Sequence, residues 1–403
     1  MKSLTDILRQ KDLDAMRLPI EQASPPPAEY YTSRDIYELE KERIFLKEWL
    51  WAGHADKVQK PGDYFTCEIA EEPIVVVRDQ SKELRAFSSV CRHRGAVIAT
   101  GQGNCRAFTC PYHNWTYALN GKLIGAPTMN EVSGFDASRH GLLPLKVETW
   151  EGHVFVNFDP KSKPLSASLG DMINWVRNYR MADLICTDRE EYDFPCNWKM
   201  VVENNLEGYH IPGTHAGSGE YCKLNHWKLA ESHGLYGLII AEFDEPLTMN
   251  VPGGGDKPVA MIEGITELDQ RRNYFLILYP NMLWALQPDS TVCFTMLPNG
   301  VDRTRAIVDW HYPKWMTELP EFPEIAKAGR AGVAGFNEQD IRVLGLTAQG
   351  YKSRLFHPGH YSLHERNMYK FSRYVIDRLQ GEDGLEPKEF QTNDSASSSL
   401  SGD

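Results

Sequence analysis

The chain of 403 residues is 42% hydrophobic and 11% aromatic, a composition typical of a globular protein with room for about two or three domains. Its formal net charge of −12 disfavours nucleic acid and anionic membrane surfaces as partners, because both would repel it. The N-terminus is charged throughout and no stretch approaches about eighteen uninterrupted apolar residues, so we expect a cytoplasmic protein without a membrane segment.

The first predicted element is a surface helix over residues 32–50. Thr32, with Asp35 three positions later, is typical of a helix N-terminus. Apolar residues recur among charged ones at helical spacing and predict one buried face; they are Ile36, Leu39, Ile44 and Trp49.

Residues 51–160 predict an all-β domain. Short runs rich in β-branched and aromatic residues alternate with turn signals, and the clearest runs lie at 64–69, 73–78, 84–90 and 153–160. Two loops in this block contain the strings CRHRG and CPYH, which supply Cys91, His93, Cys110 and His113. The other six cysteines show no paired spacing and are predicted to be reduced thiols, mostly buried.

Two Cys and two His can hold one asymmetric [2Fe–2S] cluster, with Cys on one iron and His on the other, which is a Rieske centre. A zinc site is the alternative, because zinc accepts the same ligand types. Zinc fingers usually open each ligand pair with like residues, whereas here each loop supplies one Cys and one His, which favours the cluster. Respiratory Rieske proteins carry an extra Cys in each loop, joined as a disulfide. Ala96 and Tyr112 stand at those positions here, so the loops resemble the oxygenase and ferredoxin type.

Residues 161–390 predict a second domain that mixes helices with a mostly antiparallel sheet. The stretch 161–170, KSKPLSASLG, is predicted to be a linker. Strand-like runs follow at 234–243, 273–280, 283–288, 291–298 and 305–313. Ser362 and Glu365 predict a capping box at the start of a helix, and residues 391–403 are predicted to be disordered.

A second metal site is indicated by His210 and His215, which follow a stretch that reads as helix. Asp340, in a helical pattern far along the chain, would complete a triad of two His and one carboxylate that leaves open positions for dioxygen on non-haem Fe(II). Glu338 is a competing carboxylate, and a lone His pair is also typical of ordinary core or surface positions. The Rieske motif favours the metal site, because a one-electron carrier is useful only near a group that consumes electrons.

From residue 35 to residue 380 the chain resembles the catalytic α subunit of the Rieske non-haem iron oxygenases. Three motifs occur in the family's order: the cluster motif, the segment NNLEGYH(x)4H, and the run from Gln339 to Glu365. The resemblance implies Asp340, and not Glu338, as the third iron ligand.

The resemblance also implies an α+β fold. An all-β Rieske [2Fe–2S] domain (51–160) would precede a catalytic domain (161–390) with a mostly antiparallel sheet flanked by helices, a helix-grip, START-like arrangement. Residues 1–50 would form a helical segment packed on the catalytic domain.

A further residue implied by the resemblance is Glu207, three positions before His210. Family members place a bridging carboxylate there, which connects the second Rieske His of one subunit, His113 here, to the first iron His of its neighbour. A homotrimer is therefore expected, although an ordinary helix-surface Glu is the alternative. Many ring-dihydroxylating members carry Asp at this position, and the Glu of this chain resembles the carnitine, betaine and stachydrine oxygenases.

The implied function is that of an oxygenase component that uses O2 and electrons from a separate reductase to hydroxylate a small organic substrate, by monooxygenation or oxidative N- or O-demethylation. The alternatives are cis-dihydroxylation of an aromatic ring and, from another class, a Rieske electron-transfer protein without catalysis. No glycine-rich stretch has dinucleotide-binding spacing, so NAD(P)H would act only through the reductase, with or without a ferredoxin. A small β subunit is left open.

The substrate pocket is predicted on the sheet between about residues 220 and 310, where aromatic residues concentrate. Aromatic walls suit an arene or a methylated ammonium group, although each of these residues alone is also a core candidate. They are Tyr221, Trp227, Tyr236, Phe243, Tyr274, Phe275, Tyr279 and Trp284.

Overall fold

The computed structural model describes residues 3–217, 219, 223–246 and 261–381. The predicted disordered tail, 391–403, lies outside these residues. Across the described ranges no helix is both long and apolar enough to cross a membrane.

Three short helices open the chain: α1 (Gln10–Met16), α2 (Ala28–Thr32) and α3 (Arg34–Glu40), the last continuing as a π-helical turn, Lys41–Phe45. The prediction of Thr32 as the N-cap was wrong, because Thr32 is the last residue of α2 and its hydroxyl donates to the Ala28 carbonyl at 3.0 Å. Ser33 caps α3 instead, accepting from the Ile36 N–H at 3.4 Å. The predicted apolar face is buried, since none of its four residues exceeds 4% exposure.

Ten strands follow in the first half of the chain: β1 (Leu50–His54), β2 (Asp63–Ile69), β3 (Glu72–Arg78), β4 (Leu84–Ser88), β5 (Gln102–Asn104), β6 (Ala107–Thr109), β7 (Thr116–Ala118), β8 (Leu123–Gly125), β9 (Pro144–Trp150) and β10 (His153–Asn157). Seven of them form an antiparallel first sheet, in the order β1-β10-β9-β4-β3-β2-β5, and β6-β7-β8 form a small sheet beside it. The four predicted strand runs are confirmed as β2, β3, β4 and β10. β1 was not predicted as a strand, and its first residue, Leu50, had been assigned to the end of the helix.

Seven strands form the second sheet: β11 (Leu184–Phe194), β12 (Trp227–Ala230), β13 (Tyr236–Glu242), β14 (Arg272–Leu278), β15 (Met282–Leu286), β16 (Thr291–Pro298) and β17 (Thr304–Pro313). Every neighbouring pair is antiparallel, in the order β11-β17-β16-β15-β14-β13-β12. The five predicted runs are confirmed as β13 to β17. The edge strand β11 was missed because its partly exposed centre is a polar stretch, TDREEYD, without an apolar run.

Six further helices accompany the second sheet: α4 (Leu165–Leu169), α5 (Met172–Val176), α6 (Trp198–Asn204), α7 (Ile211–Thr214), α8 (Phe322–Gly350) and α9 (Arg366–Gln380). The linker predicted at 161–170 is wrong in part, because it contains α4, whose Leu165 and Leu169 are each 2% exposed. The capping box is confirmed: the Ser362 hydroxyl accepts from the His364 N–H, and Glu365 accepts from the Ser362 N–H. The α+β class is thus confirmed.

The second sheet separates two environments, because successive residues of a strand face opposite sides. On β15, Trp284 and Leu286 pack with Trp51 and Phe155 of the first sheet. Leu283 and its neighbours on the other side face α6, α7 and α8. The helices therefore enclose a space on the side away from the first sheet.

Candidate metal centres

The residues of the second metal motif lie where α6 ends and α7 begins. Asn197 caps α6 by accepting from the Lys199 N–H at 3.1 Å, and every residue of the helix is buried. After a short turn, α7 starts with Pro in its first turn, where the missing N–H costs nothing. His210 and His215 flank this four-residue helix, with ring centroids 5.2 Å apart.

Asp340 on α8 completes the triad. Its Oδ1 lies 3.3 Å from Nε2 of His215 and 3.8 Å from Nε2 of His210, and one donor atom from each residue lies within 4.8 Å of the others. This oxygen is buried and has no hydrogen-bond partner, as expected of an atom placed to receive a cation. Glu338 is exposed, since two residues along a helix correspond to about 200° of rotation. Two imidazoles and one carboxylate, with one side open, suit non-haem Fe(II).

Both imidazoles are held from behind through Nδ1. Oε1 of Glu207 lies 2.7 Å from Nδ1 of His210, and Oε1 of Gln339 lies 2.6 Å from Nδ1 of His215. Oε2 of Glu207 also accepts from the backbone N–H groups of Tyr209 and His210. Partners of this kind fix the ring orientation and turn Nε2 towards a metal. Burial alone would lower the pKa of His210, but the hydrogen bond and charge of Glu207 raise it above its ordinary value.

A cavity of about 140 Å³ adjoins the triad. Its lining includes four aromatic residues and several amides, but no Lys or Arg among the residues that the structure describes; these are Trp227, Phe275, Phe294 and Phe336, with Asn204, Asn205, Asn273, Gln287 and Asn337. The rings of Trp227 and Phe275 lie 5.3 Å apart.

Of the eight aromatic residues predicted for the pocket, Trp227 and Phe275 line it. Tyr221 lies outside the described residues, and the other five do not contribute to this cavity. Phe294 and Phe336 were missed. Period-two alternation along β14 and β16, which places Phe275 and Phe294 on the helix side, was the signal that could have found one of them.

The two loops of the first motif have matching backbone turns. The Cys91 N–H donates to the Ala96 carbonyl at 2.8 Å, and the Cys110 N–H donates to the Trp115 carbonyl at 2.8 Å. Both cysteines are buried, at 3% and 1% exposure, whereas His93 is exposed and His113 half-buried. The two imidazole rings lie 4.7 Å apart. Inner thiols and outer imidazoles fit a cluster whose His-bound iron faces outward.

Tyr117 contacts the inner half of this site. Its hydroxyl lies 3.3 Å from Sγ of Cys91 and accepts from the Arg92 N–H at 3.0 Å. When Cys91 is a thiolate, as a cluster ligand must be, the hydroxyl is the donor to the sulfur. Burial would raise the pKa of Cys91, but the Tyr117 hydrogen bond and the nearby backbone N–H of His93 hold it below its ordinary value.

Replacing Tyr117 with Phe should lower the reduction potential of the cluster. Hydrogen bonds to sulfur stabilise the reduced, more negative cluster, and losing one is expected to shift the potential down by about 40–80 mV. Spectroelectrochemical titration of the purified holoenzyme measures this shift, with Tyr64→Phe as a control because the Tyr64 ring packs on Phe108 in the same core but, unlike Tyr117, is not hydrogen-bonded to Cys91 in the described structure. An unchanged Tyr117→Phe potential would contradict the assigned hydrogen bond.

Glu203 lies on α6, four residues before Glu207, and carries a buried carboxyl group. It is 3% exposed and accepts a hydrogen bond from the Tyr31 hydroxyl at 2.7 Å. The nearby Lys199 forms its ion pair with Glu40 instead. Burial raises the pKa of Glu203 to about 8, so the folded protein binds a proton there that the unfolded chain loses above its ordinary pKa of about 4.5.

The Glu203→Gln variant should therefore gain stability over the wild type as pH rises. The contribution of the protonated carboxyl is complete below about pH 4.5 and is lost as pH rises towards about 8, by at most about 1.4 kcal/mol per pH unit. Gln mimics the protonated form and does not titrate. Melting temperatures between pH 5 and pH 9 test this, with exposed Glu72→Gln as the control. Parallel curves for the wild type and Glu203→Gln would refute the buried-proton assignment.

Two family models match the chain in the regions that contain the two sites. Residues 48–136 match the Rieske [2Fe–2S] domain, and residues 181–381 match the catalytic domain of the ring hydroxylating alpha subunit. Chloroplastic choline monooxygenase of Arabidopsis thaliana is 28% identical over 370 residues, covering 88% of this chain and 83% of the relative. The glycine betaine monooxygenase oxygenase subunit of Pseudomonas aeruginosa is 26% identical, covering 94% and 92%.

A solved structure is also similar over most of the chain. It is that of a quaternary ammonium Rieske monooxygenase in complex with L-carnitine, with a TM-score of 0.75, 25% identity, and coverage of 89% of this chain and 96% of that chain. The chain belongs to the Rieske non-haem iron oxygenases, as the oxygenase component that carries a Rieske [2Fe–2S] cluster and a mononuclear iron.

Proposed function

We propose that this oxygenase inserts one oxygen atom into a C–H bond of a small substrate that carries a methylated ammonium group. The observation that carries the proposal is the cavity beside the triad, whose walls combine four aromatic residues with neutral amides and aliphatic side chains and whose described lining holds no Lys or Arg. Such a cavity attracts a cation through cation–π contact. Two relatives are named as monooxygenases of choline and of glycine betaine, and this supports the same class of substrate.

The iron is assigned to His210, His215 and Asp340. When bound there, it supplies dioxygen activation at its open positions, using electrons from the cluster. The protein's own contribution is to hold the two imidazoles through Glu207 and Gln339 and to bury the carboxylate. The open side of the triad adjoins the cavity, which would hold the substrate within reach of the oxidant.

The cluster is assigned to Cys91, His93, Cys110 and His113. Burial of both sulfur atoms excludes water from the inner iron, and the outward imidazoles leave an edge through which an electron can depart. This edge is bordered by Tyr112, which is 54% exposed.

Electron transfer between subunits of a homotrimer is part of the same proposal. Glu207 already contacts His210 and would reach His113 of a neighbouring copy. Two exposed aromatic residues support the pairing of these surfaces: Tyr112 beside His113, and Tyr209 next to Glu207, each 54% exposed. A separate reductase, with or without a ferredoxin, would supply the electrons.

Substrate-dependent O2 uptake by the reductase-coupled enzyme tests the function. Choline, glycine betaine and carnitine are compared with matched neutral analogues in which a tert-butyl group replaces trimethylammonium, and with simple arenes. We expect turnover of at least one cation, weak turnover of its neutral analogue, and one atom of 18O from labelled dioxygen in the product. A cis-diol with two labelled atoms would establish ring dihydroxylation instead, and absence of any product would support a pure electron carrier.

Trp227 offers a matched variant for the same assay. Trp227→Leu should raise KM for the cation by about tenfold while changing KM for the neutral analogue little, and Trp227→Phe should restore part of the loss. Equal effects on both substrates would assign Trp227 to packing alone.

A further inference from the structure

A layer of polar side chains lies between the two sheets, on the side opposite the iron site. On β17, Trp310 and Tyr312 pack against the α8 side, so the alternating Asp309 and His311 face the first sheet. There they meet His54 of β1, whose ring centroid is 5.1 Å from that of His311. Asp309 and His311 are each 1% exposed and His54 is 3% exposed.

Three residues in this layer bring together ligand atoms of metal-binding type. Cys186 on β11 pairs directly with His311 on β17, and Asp309 stands two residues before His311 on the same face. One donor atom from each residue, sulfur, oxygen and nitrogen, lies within 4.8 Å of the other two. Among the residues that the structure describes, the iron triad is the other group that meets this criterion.

The histidines of the layer present unused nitrogen atoms. Neither ring nitrogen of His311 has a hydrogen-bond partner of normal geometry, although the Thr291 backbone lies near the ring, and Nε2 of His54 likewise has no such partner. Nδ1 of His54 lies 3.1 Å from Oδ1 of Asp56. Nδ1 of His54 is also 3.5 Å from the Asp56 N–H. Nε2 can bind a metal in the tautomer that places the proton on Nδ1, where it would face the Asp56 carboxylate as Nδ1 of His210 faces Glu207.

The spacing of the two rings is also that of a ligand pair. The His54 and His311 centroids are 5.1 Å apart, against 5.2 Å for the two histidines of the iron triad. A third histidine nearby, His153, has similar ring spacing, 5.3 Å from His54 and 5.4 Å from His311, but its nitrogen atoms are already used. Its Nδ1 and Nε2 lie 3.0 Å and 3.2 Å from the indole N–H groups of Trp51 and Trp284, so neither nitrogen is free.

Charge does not prevent a cation from binding here. Arg189 binds both oxygens of Asp309, at 2.6 Å and 2.7 Å, but each oxygen keeps a further lone pair, and carboxylates that ligate metals are commonly hydrogen-bonded in this way. Cys186 is a free thiol, and metal binding would release its proton to water. A cleft of about 680 Å³ is lined by Arg189, the partner of Asp309, although none of the four proposed ligands lines the cleft itself.

We propose that Cys186, Asp309 and His311 bind a structural Zn²⁺ ion, and that His54, which lies outside this three-residue donor group but has its ring centroid 5.1 Å from that of His311, closes on the ion as the fourth ligand. A mixed sulfur, nitrogen and oxygen set of four ligands suits tetrahedral zinc. Because His54 comes from the first sheet and the other three ligands from the second, the ion ties the two sheets together. Its role is separate from oxygen activation and does not depend on the identity of the substrate.

Metal analysis and zinc X-ray absorption test the site. The holoenzyme, with its iron and cluster loaded, is incubated with Zn²⁺ and freed of excess by gel filtration. We expect about one zinc per chain, with one sulfur neighbour at about 2.3 Å. The sulfur signal is decisive, because the iron triad contains no sulfur and the cluster cysteines are occupied. Zinc at background level, or bound zinc without a sulfur neighbour, would overturn the proposal and leave water as the occupant of the layer.

Variants give an independent readout. Cys186→Ser should abolish the zinc–sulfur signal and reduce retained zinc at least about tenfold, and His311→Gln should reduce retained zinc similarly. Cys67→Ser is the matched control, because Cys67 is a free thiol that lines the cleft beside Arg189 but lies outside the donor group. In the wild type, zinc should raise the melting temperature, and the Cys186→Ser variant should lose this rise. Equal zinc retention by Cys186→Ser and Cys67→Ser would contradict the ligand assignment.

Discussion

Replacing Asp340 with Ala should remove the mononuclear iron and abolish oxygenation while leaving the cluster in place. The variant deletes the one carboxylate of the triad, whose buried Oδ1 lies 3.3 Å from Nε2 of His215. Two neutral imidazoles alone bind Fe(II) weakly, so we expect iron content to fall from about three to about two atoms per chain and activity to fall by at least about 1,000-fold. Metal analysis together with the visible spectrum of the cluster measures both effects.

Glu338→Gln is the matched control for this experiment. It removes a carboxylate two positions away on the same helix, but Glu338 is exposed and points away from the triad. The control should retain full iron and activity. If Asp340→Ala kept its third iron, or if Glu338→Gln lost it, the assignment of the triad would be wrong.

The Glu207→Gln variant should keep both metal sites filled and still lose electron transfer from the cluster. Gln can accept the hydrogen bond from Nδ1 of His210, which Glu207 now accepts at 2.7 Å, so the iron site should retain its shape. It cannot carry the negative charge that stabilises a protonated or partly charged imidazole on either side. We expect reoxidation of the reduced cluster by O2 and substrate to slow on the order of 100-fold.

Single-turnover mixing of the reduced variant with substrate and O2 measures this rate directly through the cluster absorbance. Glu207→Asp is the conservative control and should recover part of the rate, because it restores the charge with a shorter reach. Glu203→Gln, in the helix α6 four residues before Glu207, should leave the rate near that of the wild type. Full-speed reoxidation in Glu207→Gln would refute the relay.

These variants also separate the two levels of the functional proposal. Asp340→Ala and Glu207→Gln test the metal sites and their connection with any substrate that the enzyme accepts. The comparison of cations with neutral analogues tests the substrate class alone. If the cations showed no advantage over the neutral analogues, the proposed substrate class would be wrong, but the assignment of the two metal sites would stand.

The cluster motif, the histidine pair and most strands can be recognised from the amino-acid sequence alone. Each of these signals is local: Cys91 and His93 share one tight loop, His210 and His215 flank one short helix, and an apolar run such as β16 is bounded by its own turn residues. Local spacing is set by backbone geometry, which does not depend on the rest of the fold. The wrong cap at Thr32 and the missed strand β11 occurred where neighbouring elements compete for a boundary or where the strand is partly exposed.

Which side chains from distant parts of the chain come into contact can be read only from the folded protein. The residues alone left Asp340 and Glu338 as alternatives, and the rotation of α8 buries one and exposes the other. Strand register likewise placed Cys186 opposite His311 and brought His54 to the same layer. Contacts across more than a hundred residues depend on helix rotation and strand pairing, where a shift of one residue turns a side chain to the opposite face.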